Sequence, residues 1–140
     1  MKSKSVILLA SAARTATPTA IELDTGQFTE PGSSRSFTKI NANELINLHI
    51  TIDVTAVALT PSVQVAIEAF DDASGKYYSL LAAIAAITGV GTTTLKIGEN
   101  IASAAGLAAQ DFIPKKVRIS FTHADTDSIT YSAGLNYQER

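Results

Sequence analysis

The stretch "LHITIDVTAV", residues 48–57, decides the fold, because apolar and polar side chains alternate along it. Leu48, Ile50, Ile52 and Val54 share one side of a two-residue period, and the residues between them are polar. This spacing predicts a β-strand with one buried face and one face in water.

Three further stretches alternate in the same way: "SVQVAIEAF" (62–70), "KVRISFT" (116–122) and "SITYSAGLNY" (128–137). Turn residues separate them, which favours an all-β fold: an antiparallel β-sandwich or jelly roll of about seven to eight strands, with an N-terminal arm and at most one or two short helices. The predicted core consists of the inward positions of these stretches: Leu48, Ile50, Ile52, Val54, Val63, Val65, Ile67, Val117, Ile119, Phe121, Ile129, Tyr131 and Leu135.

The first third of the chain differs in character from the rest. Residues 1–47 combine a short apolar segment with a course rich in Ser, Thr, Pro and Gly, and we predict an N-terminal arm and irregular strands packed on the same domain. Residues 48–140 form the predicted β-sandwich body. The start of the chain imitates a secretory signal, but its apolar patch at 6–10 is shorter than the roughly 7 to 15 residues such a signal needs. We therefore expect mature protein with no signal peptide.

Two segments allow more than one interpretation. The stretch "YYSLLAAIAAITG" (77–89) has helix-compatible spacing, yet turn signals bound it closely and we interpret it as a strand. The stretch "IASAAGLAAQ" (101–110) is the better candidate for a short helix, ending before Pro114. Residues 117–137 predict a β-hairpin with a polar loop.

Composition excludes several classes of function. The 140-residue length suits one domain with a core of its own. The absence of cysteine rules out disulfides and thiolate metal sites. A net charge of −2 argues against a nucleic-acid partner, and no run approaches the roughly 20 apolar residues of a membrane span. Charged residues make up only 17% of the chain, which suits a surface covered in an assembly.

The titratable residues show no recognisable catalytic or metal-binding spacing. The two histidines, His49 and His123, lie far apart in sequence, and we interpret His49 as an ordinary surface or interface residue. Asp125 and Asp127 follow His123 but lack the glycine and the bidentate Glu of a calcium loop, so we expect them to cap turn amides.

The remaining loops support the same interpretation. "DDASG" (71–75) predicts an Asx-type turn, and "GVGTTT" (89–94) predicts a turn between strands. We therefore expect no catalytic, cofactor-binding or metal-binding residue. Two alternatives stay open: a hydrolase whose carboxylates converge in space, and a carbohydrate-binding module, which the absence of tryptophan disfavours.

Two segments carry the most specific part of a resemblance to a known family: "DASGKYYSLL" (72–81) and "THADTDSITYS" (122–132). The resemblance covers most of the chain and is weakest over 18–45. With them, the chain resembles small virion structural proteins of tailed bacteriophages, of the head-associated or capsid-decoration type. The resemblance implies a non-enzymatic protein of the virion, assembled in the host cytoplasm. It favours a decoration, or cement, protein that binds the phage major capsid protein and stabilises the outer lattice. The alternative is a structural or adhesion module of the tail, neck or fibre.

The predicted contacts with partners lie mostly in the first sixteen residues. A continuous apolar run there needs cover on both faces, a following arginine offers a charged contact, and one of two adjacent tyrosines later in the chain must point outward from a strand. We expect a homo-oligomer, and the resemblance implies a trimer. The predicted assembly contacts are Val6, Ile7, Leu8, Leu9, Arg14 and Tyr78.

Overall fold

The computed structural model describes residues 2–33, 35–82 and 85–140. In these ranges the chain forms eleven β-strands and a 3₁₀ turn at Ala42–Glu44. In chain order the strands are β1 Lys2–Arg14, β2 Ile21–Glu22, β3 Gln27–Thr29, β4 Ser36–Thr38, β5 Leu45–Val57, β6 Val63–Asp71, β7 Lys76–Leu81, β8 Gly91–Gly98, β9 Ala108–Ala109, β10 Val117–His123 and β11 Ile129–Glu139.

The strands form two sheets that pack face to face. The larger sheet has seven strands in the order β4-β3-β1-β11-β5-β8-β9, and the smaller has four in the order β2-β10-β6-β7. Neighbouring strands are antiparallel except β8 and β9, which are parallel. The predicted all-β sandwich is confirmed. The strand number exceeds the expected seven to eight because four of the strands are only two or three residues long.

The core lies between the two sheets and contains every residue predicted for it. All thirteen predicted side chains have at most 2% of their surface exposed. Leu23, Phe28, Leu95 and Ile97 complete the core from segments outside the four alternating stretches. Because burial of one such side chain contributes about 1.5–3 kcal/mol, the alternating strands supply most of the driving force for folding.

The connection between β10 and β11 crosses from one sheet to the other, so the predicted hairpin over 117–137 is wrong. β10 pairs with β6 and β2, whereas β11 pairs with β5 and β1. The amide of Ala124 donates to the carbonyl of Ser62 at 3.0 Å and fixes the start of the crossing. An alternating strand carries the same pattern in a hairpin and in a crossing between sheets, so the pattern did not distinguish the two.

β1 is an integral strand of the larger sheet. It pairs with β11 from Lys2 opposite Glu139 to Arg14 opposite Ile129, and it contacts β3 on its other side at Ile7. Residues 2–14 therefore belong to the sandwich and do not project from it as an arm. β5 begins at Leu45, before the boundary drawn at residue 47, and pairs directly with β11.

The segment expected to form a short helix, 101–110, is not helical. It consists of turns, a bridge between Ala104 and Ala108, and the short strand β9 beside β8. A stretch this short cannot offset the cost of starting a helix, so pairing with β8 overrides the helix preference of its alanines. The strand predicted over 77–89 is confirmed as far as Leu81, and residues 83 and 84 lie outside the described part of the chain.

Candidate contact surfaces

A network of paired polar side chains covers the outer face of the smaller sheet. Arg118 on β10 lies opposite Glu68 on β6 and opposite Glu22 on β2. Its Nε donates to Glu68 Oε1 at 3.1 Å, and the hydroxyl of Ser120 donates to the same oxygen at 2.8 Å. The guanidinium lies 3.4 Å above the ring of Tyr77, whose hydroxyl donates to Glu22. We call these five residues the Arg118 network.

The protonation states of Glu68 and Tyr77 in the Arg118 network fit a structural role better than a catalytic one. Burial acts to raise the pKa of Glu68, but hydrogen bonds from Arg118 and Ser120 outweigh it and the pKa is lowered. The hydrogen bond to Glu22, with a contribution from burial, raises the pKa of Tyr77. At neutral pH Glu68 is therefore a carboxylate that accepts hydrogen bonds, and Tyr77 is a neutral donor. Neither is poised to exchange a proton.

Aromatic and basic side chains extend this face toward the turn between β6 and β7. The rings of Phe70 and Tyr77 meet edge to face with centroids 5.0 Å apart. Lys116 Nζ lies 5.1 Å from the centroid of Phe70 and 2.8 Å from the carboxylate of Asp72. Tyrosine and arginine are the residues that most often carry binding energy at protein interfaces, so this face has the composition of a contact surface.

A second surface, the Leu59 tip, consists of three apolar side chains at one end of the sandwich. Leu59 is 84% exposed, Val90 is 66% exposed and Val57 is 38% exposed. The register places Val54 opposite Gly91, so the end of β5 and the start of β8 meet here. Leu59 also adopts a left-handed backbone conformation with φ of 61°, which is costly for a residue with a branched side chain.

The backbone on both sides of Leu59 is fixed by the connection between β10 and β11. The amide of Ala58 donates to the carbonyl of Ser128 at 2.9 Å, and the amide of Thr60 donates to Asp127 Oδ2 at 3.2 Å. The amide of Asp127 in turn donates to Asp125 Oδ1 at 3.1 Å. Both aspartates thus cap turn amides, as predicted, and together they hold Leu59 in its strained and exposed position.

The predicted assembly contacts differ in how far they are exposed. Tyr78 is 43% exposed at the edge of the smaller sheet, and Ile7 is half-buried. Val6 is 1% exposed and belongs to the core, while Leu8 and Leu9 pack partly against it. The apolar run is therefore covered largely by the domain itself.

Arg14 makes its described contacts within its own domain. Its guanidinium lies 4.5 Å from the centroid of the Tyr131 ring, and its Nη2 donates to the carbonyl of Ala10 at 2.6 Å. Nη1 donates to the carbonyl of Ala12 at 3.2 Å. The predicted external contact of Arg14 stays a prediction, and within the domain its side chain binds carbonyl groups near the end of its own strand.

The two histidines lie apart in the fold. Burial, with a smaller effect of Lys96, lowers the pKa of His49 on the outer face of the larger sheet. Burial and the nearby charge of Arg14 lower the pKa of His123, whose Nε2 lies 2.9 Å from the hydroxyl of Tyr131. Within the described ranges no group of three or more His, Cys, Asp or Glu side chains is arranged to hold a metal. No helix in the same ranges is long and apolar enough to cross a membrane.

Hollows mark the surface of the larger sheet, and two of them differ in their lining. One of about 620 Å³ is lined by hydroxyl and amide side chains near the start of β1, among them Ser5, Asn47 and Asn136. The other, of about 520 Å³, lies where the two sheets diverge at β1, β2, β3 and β10. We call the second one the Leu8 hollow; its lining includes Leu8, Thr19, Ile21, Phe28 and Arg118.

Comparison of the chain with protein-family models, with curated proteins and with solved structures finds no match.

Sequence reasoning missed both surfaces. The Arg118 network joins residues from β2, β6, β7 and β10, and nothing local indicates that Glu22 and Tyr77 meet. The Leu59 tip carries no signal either, because leucine rarely adopts a left-handed conformation and turn residues are the usual markers of one. Among the exposed residues of these surfaces, Tyr78 is the one whose exposure strand alternation suggested.

Proposed function

We propose that this chain is a non-enzymatic structural protein of a phage virion, most directly a capsid decoration protein that binds the major capsid protein and stabilises the outer lattice. The observation that supports it best is the placement of exposed apolar side chains on a rigid sandwich. The Leu59 tip occupies one end, and Leu107 and Phe112 are exposed in the connection that leaves β8 at the opposite end. Tyr78 is exposed on β7, an edge strand of the smaller sheet.

This arrangement suits a protein that joins neighbours. Exposed apolar groups on separate faces allow one copy to contact two partners at once, and the sandwich between them resists deformation. A weakly charged surface adds modest contacts that depend little on salt. In the proposed role the chain contacts a second copy of itself as well as the shell.

The paired titratable groups favour a contact protein over a hydrolase. In the Arg118 network the carboxylate of Glu68 is engaged by two donors and has a lowered pKa, whereas a general acid needs a raised one. The same β-sandwich would also serve in a tail, neck or fibre protein, because one fold hosts many functions.

The test is to quantify the chain on purified virions by mass spectrometry against the major capsid protein. A decoration protein is expected in hundreds of copies per particle, and a neck or fibre protein in few. Absence of the chain from particles would contradict the proposal. Immunogold labelling of intact virions separates an outer lattice position from the tail. A screen on generic ester and glycoside substrates is expected to show no turnover.

A further inference from the structure

We propose that His123 acts as a pH-sensitive switch: once protonated, its ring leaves the hydroxyl of Tyr131 for the carboxylate of Asp125, and two neighbouring loops loosen. The loops are residues 58–62, between β5 and β6, and residues 124–128, between β10 and β11. The inference goes beyond the proposed function, and it does not depend on the location of the chain in a virion.

The neutral ring of His123 is held at a buried hydroxyl. Its Nε2 lies 2.9 Å from the hydroxyl oxygen of Tyr131, a residue that is 1% exposed. Burial raises the pKa of Tyr131, so the phenol keeps its proton and donates it to Nε2 of the neutral imidazole. This role requires the imidazole proton to lie on Nδ1.

A fixed positive charge lies beside the same tyrosine. The guanidinium of Arg14 is 4.5 Å from the centroid of the Tyr131 ring, and it donates to the carbonyl groups of Ala10, Ala12 and Tyr131. Three hydrogen bonds hold Arg14 in place, whereas one contact holds the ring of His123. When both groups are charged, the ring of His123 is therefore the one that moves.

Protonation changes which partner the ring of His123 favours. At Tyr131 the ring is partly buried, and burial together with the charge of Arg14 lowers the pKa of His123. The charge of Asp125 acts in the opposite direction, and Asp125 is exposed to water. An imidazolium thus escapes a like charge and regains water when it turns from Tyr131 to Asp125.

The backbone of His123 keeps its place while the side chain turns. Its amide donates to the hydroxyl of Thr17 at 2.9 Å, and Val63 lies opposite it in β6. Neither of these neighbours carries a charge. Among the described residues, Arg14 and Asp125 are therefore the charged groups that decide the position of the ring.

The carboxylate of Asp125 begins a series of hydrogen bonds that ends beside Leu59. Its Oδ1 accepts from the amide of Asp127 at 3.1 Å, and Oδ2 of Asp127 accepts from the amide and hydroxyl of Thr60 at 3.2 and 3.3 Å. A charged His123 ring competes with the amide of Asp127 for the first carboxylate. The series then weakens, and the exposed Leu59 is held rigidly at neutral pH and loosely at acid pH.

The experiment measures amide hydrogen exchange of the full chain by NMR as the pH is lowered. The reporting amides are those of Ala58, Thr60, Ala124 and Asp127, which donate hydrogen bonds within or between the two loops. Each rate is divided by the intrinsic rate at the same pH. The series starts above the ordinary histidine value of 6.5 and ends at the lowest pH where β5 and β11 keep their protection.

In the wild-type chain, protection of the reporting amides is expected to fall by a factor on the order of ten as His123 takes up its proton, while β5 and β11 stay protected. A nuclear Overhauser contact between the rings of His123 and Tyr131 is expected at neutral pH and is expected to vanish over the same titration.

Three variants identify the groups involved. His123→Gln cannot take up the proton, so its loops are expected to stay protected. Asp125→Asn keeps an oxygen that can cap the amide of Asp127 but removes the charge, so the loss is expected to be smaller and to begin at lower pH. His49→Gln is the matched control, because the pKa of His49 is lowered as well on the outer face of the larger sheet, and it is expected to behave like wild type.

Two results in the wild-type chain would overturn the proposal: loops that stay protected while His123 titrates, or a contact between the two rings that survives the titration. These readings need no substitution and decide the matter even if a variant fails to fold. Loops that open equally in His123→Gln would assign the titration to another group. An Asp125→Asn variant identical to wild type would show that the ring does not move to Asp125.

Discussion

His123 Nε2 lies 2.9 Å from the hydroxyl oxygen of Tyr131, and this contact joins the end of β10 in the smaller sheet to the start of β11 in the larger one. The guanidinium of Arg14, from β1, lies over the same tyrosine ring. Side chains from β1 and β10 thus both contact the Tyr131 side chain of β11. The connection between His123 and Tyr131 contains Asp125 and Asp127, and Asp127 in turn binds the backbone beside Leu59.

The first prediction concerns pH. Burial and the charge of Arg14 lower the pKa of His123, so the unfolded chain takes up a proton more readily than the folded chain does. Stability contributed by the neutral imidazole is complete above the ordinary histidine value of 6.5 and is lost as the pH falls below it toward the lower folded pKa. The melting temperature is therefore expected to drop as the pH falls below the ordinary histidine value of 6.5.

The matched variants for this prediction are His123→Gln and His49→Gln, because the pKa of His49 is lowered as well. Each substitution is expected to remove part of the pH dependence, and the double variant to remove most of it. A double variant with the full wild-type dependence would show that carboxylates, and not these histidines, govern stability in this range.

The second prediction concerns the core. Ile119 is completely buried at the centre of β10, and its replacement by alanine is expected to lower the free energy of unfolding by about 2–5 kcal/mol. Thr122 lies on the exposed side of the same strand, and Thr122→Ala is expected to change it by no more than about 0.5 kcal/mol. Urea denaturation measures both. Equal losses in the two variants would contradict the assigned faces of β10.

The third prediction concerns Gly98 at the end of β8. A side chain there would collide with Asn47 Oδ1 and would approach Ile101 Cδ1 at 3.0 Å. Gly98→Ala is therefore expected to cost about 1–3 kcal/mol through overpacking. The double variant with Asn47→Ala is expected to regain much of that loss, which a double-mutant cycle would measure. Additive losses would mean that the obstruction is not the asparagine.

The fourth prediction concerns backbone strain. Leu59 and Lys39 both have positive φ, at 61° and 74°. Replacing either with asparagine is expected to raise the stability of the monomer by about 1 kcal/mol, because asparagine adopts this conformation more readily. If Leu59→Asn destabilised the monomer while Lys39→Asn stabilised it, Leu59 would be packing within its own domain and the tip would not be free to bind a partner.

Strand alternation was sufficient to predict the sandwich and its core. The side chains of a half-buried strand separate into an apolar and a polar face regardless of which strands it pairs with. Alternation was insufficient for the pairing of β10 with β11, since the pattern within a strand does not report which sheet contains it. Helix preference, rather than alternation, gave the wrong prediction for residues 101–110, where pairing with β8 outweighs the preference of a short alanine-rich stretch.

The candidate surfaces were less predictable for a different reason. Arg118, Glu68 and Glu22 come together only through the order of strands in the smaller sheet. The small and polar neighbours of Arg14 in the sequence suggested an external charge, and they gave no sign of the aromatic ring and the three carbonyl groups that the fold places within its reach. Such contacts depend on tertiary placement and leave no periodic signal.

The most direct test of the proposed decoration role is to add the purified chain to shells of the major capsid protein that lack it, and to measure bound chain by co-sedimentation and shell stability by thermal melting. The account predicts saturable binding at a fixed ratio to the capsid protein, and a higher melting temperature for the decorated shells. Shells that bind no chain, or that bind it and melt as before, would contradict the account.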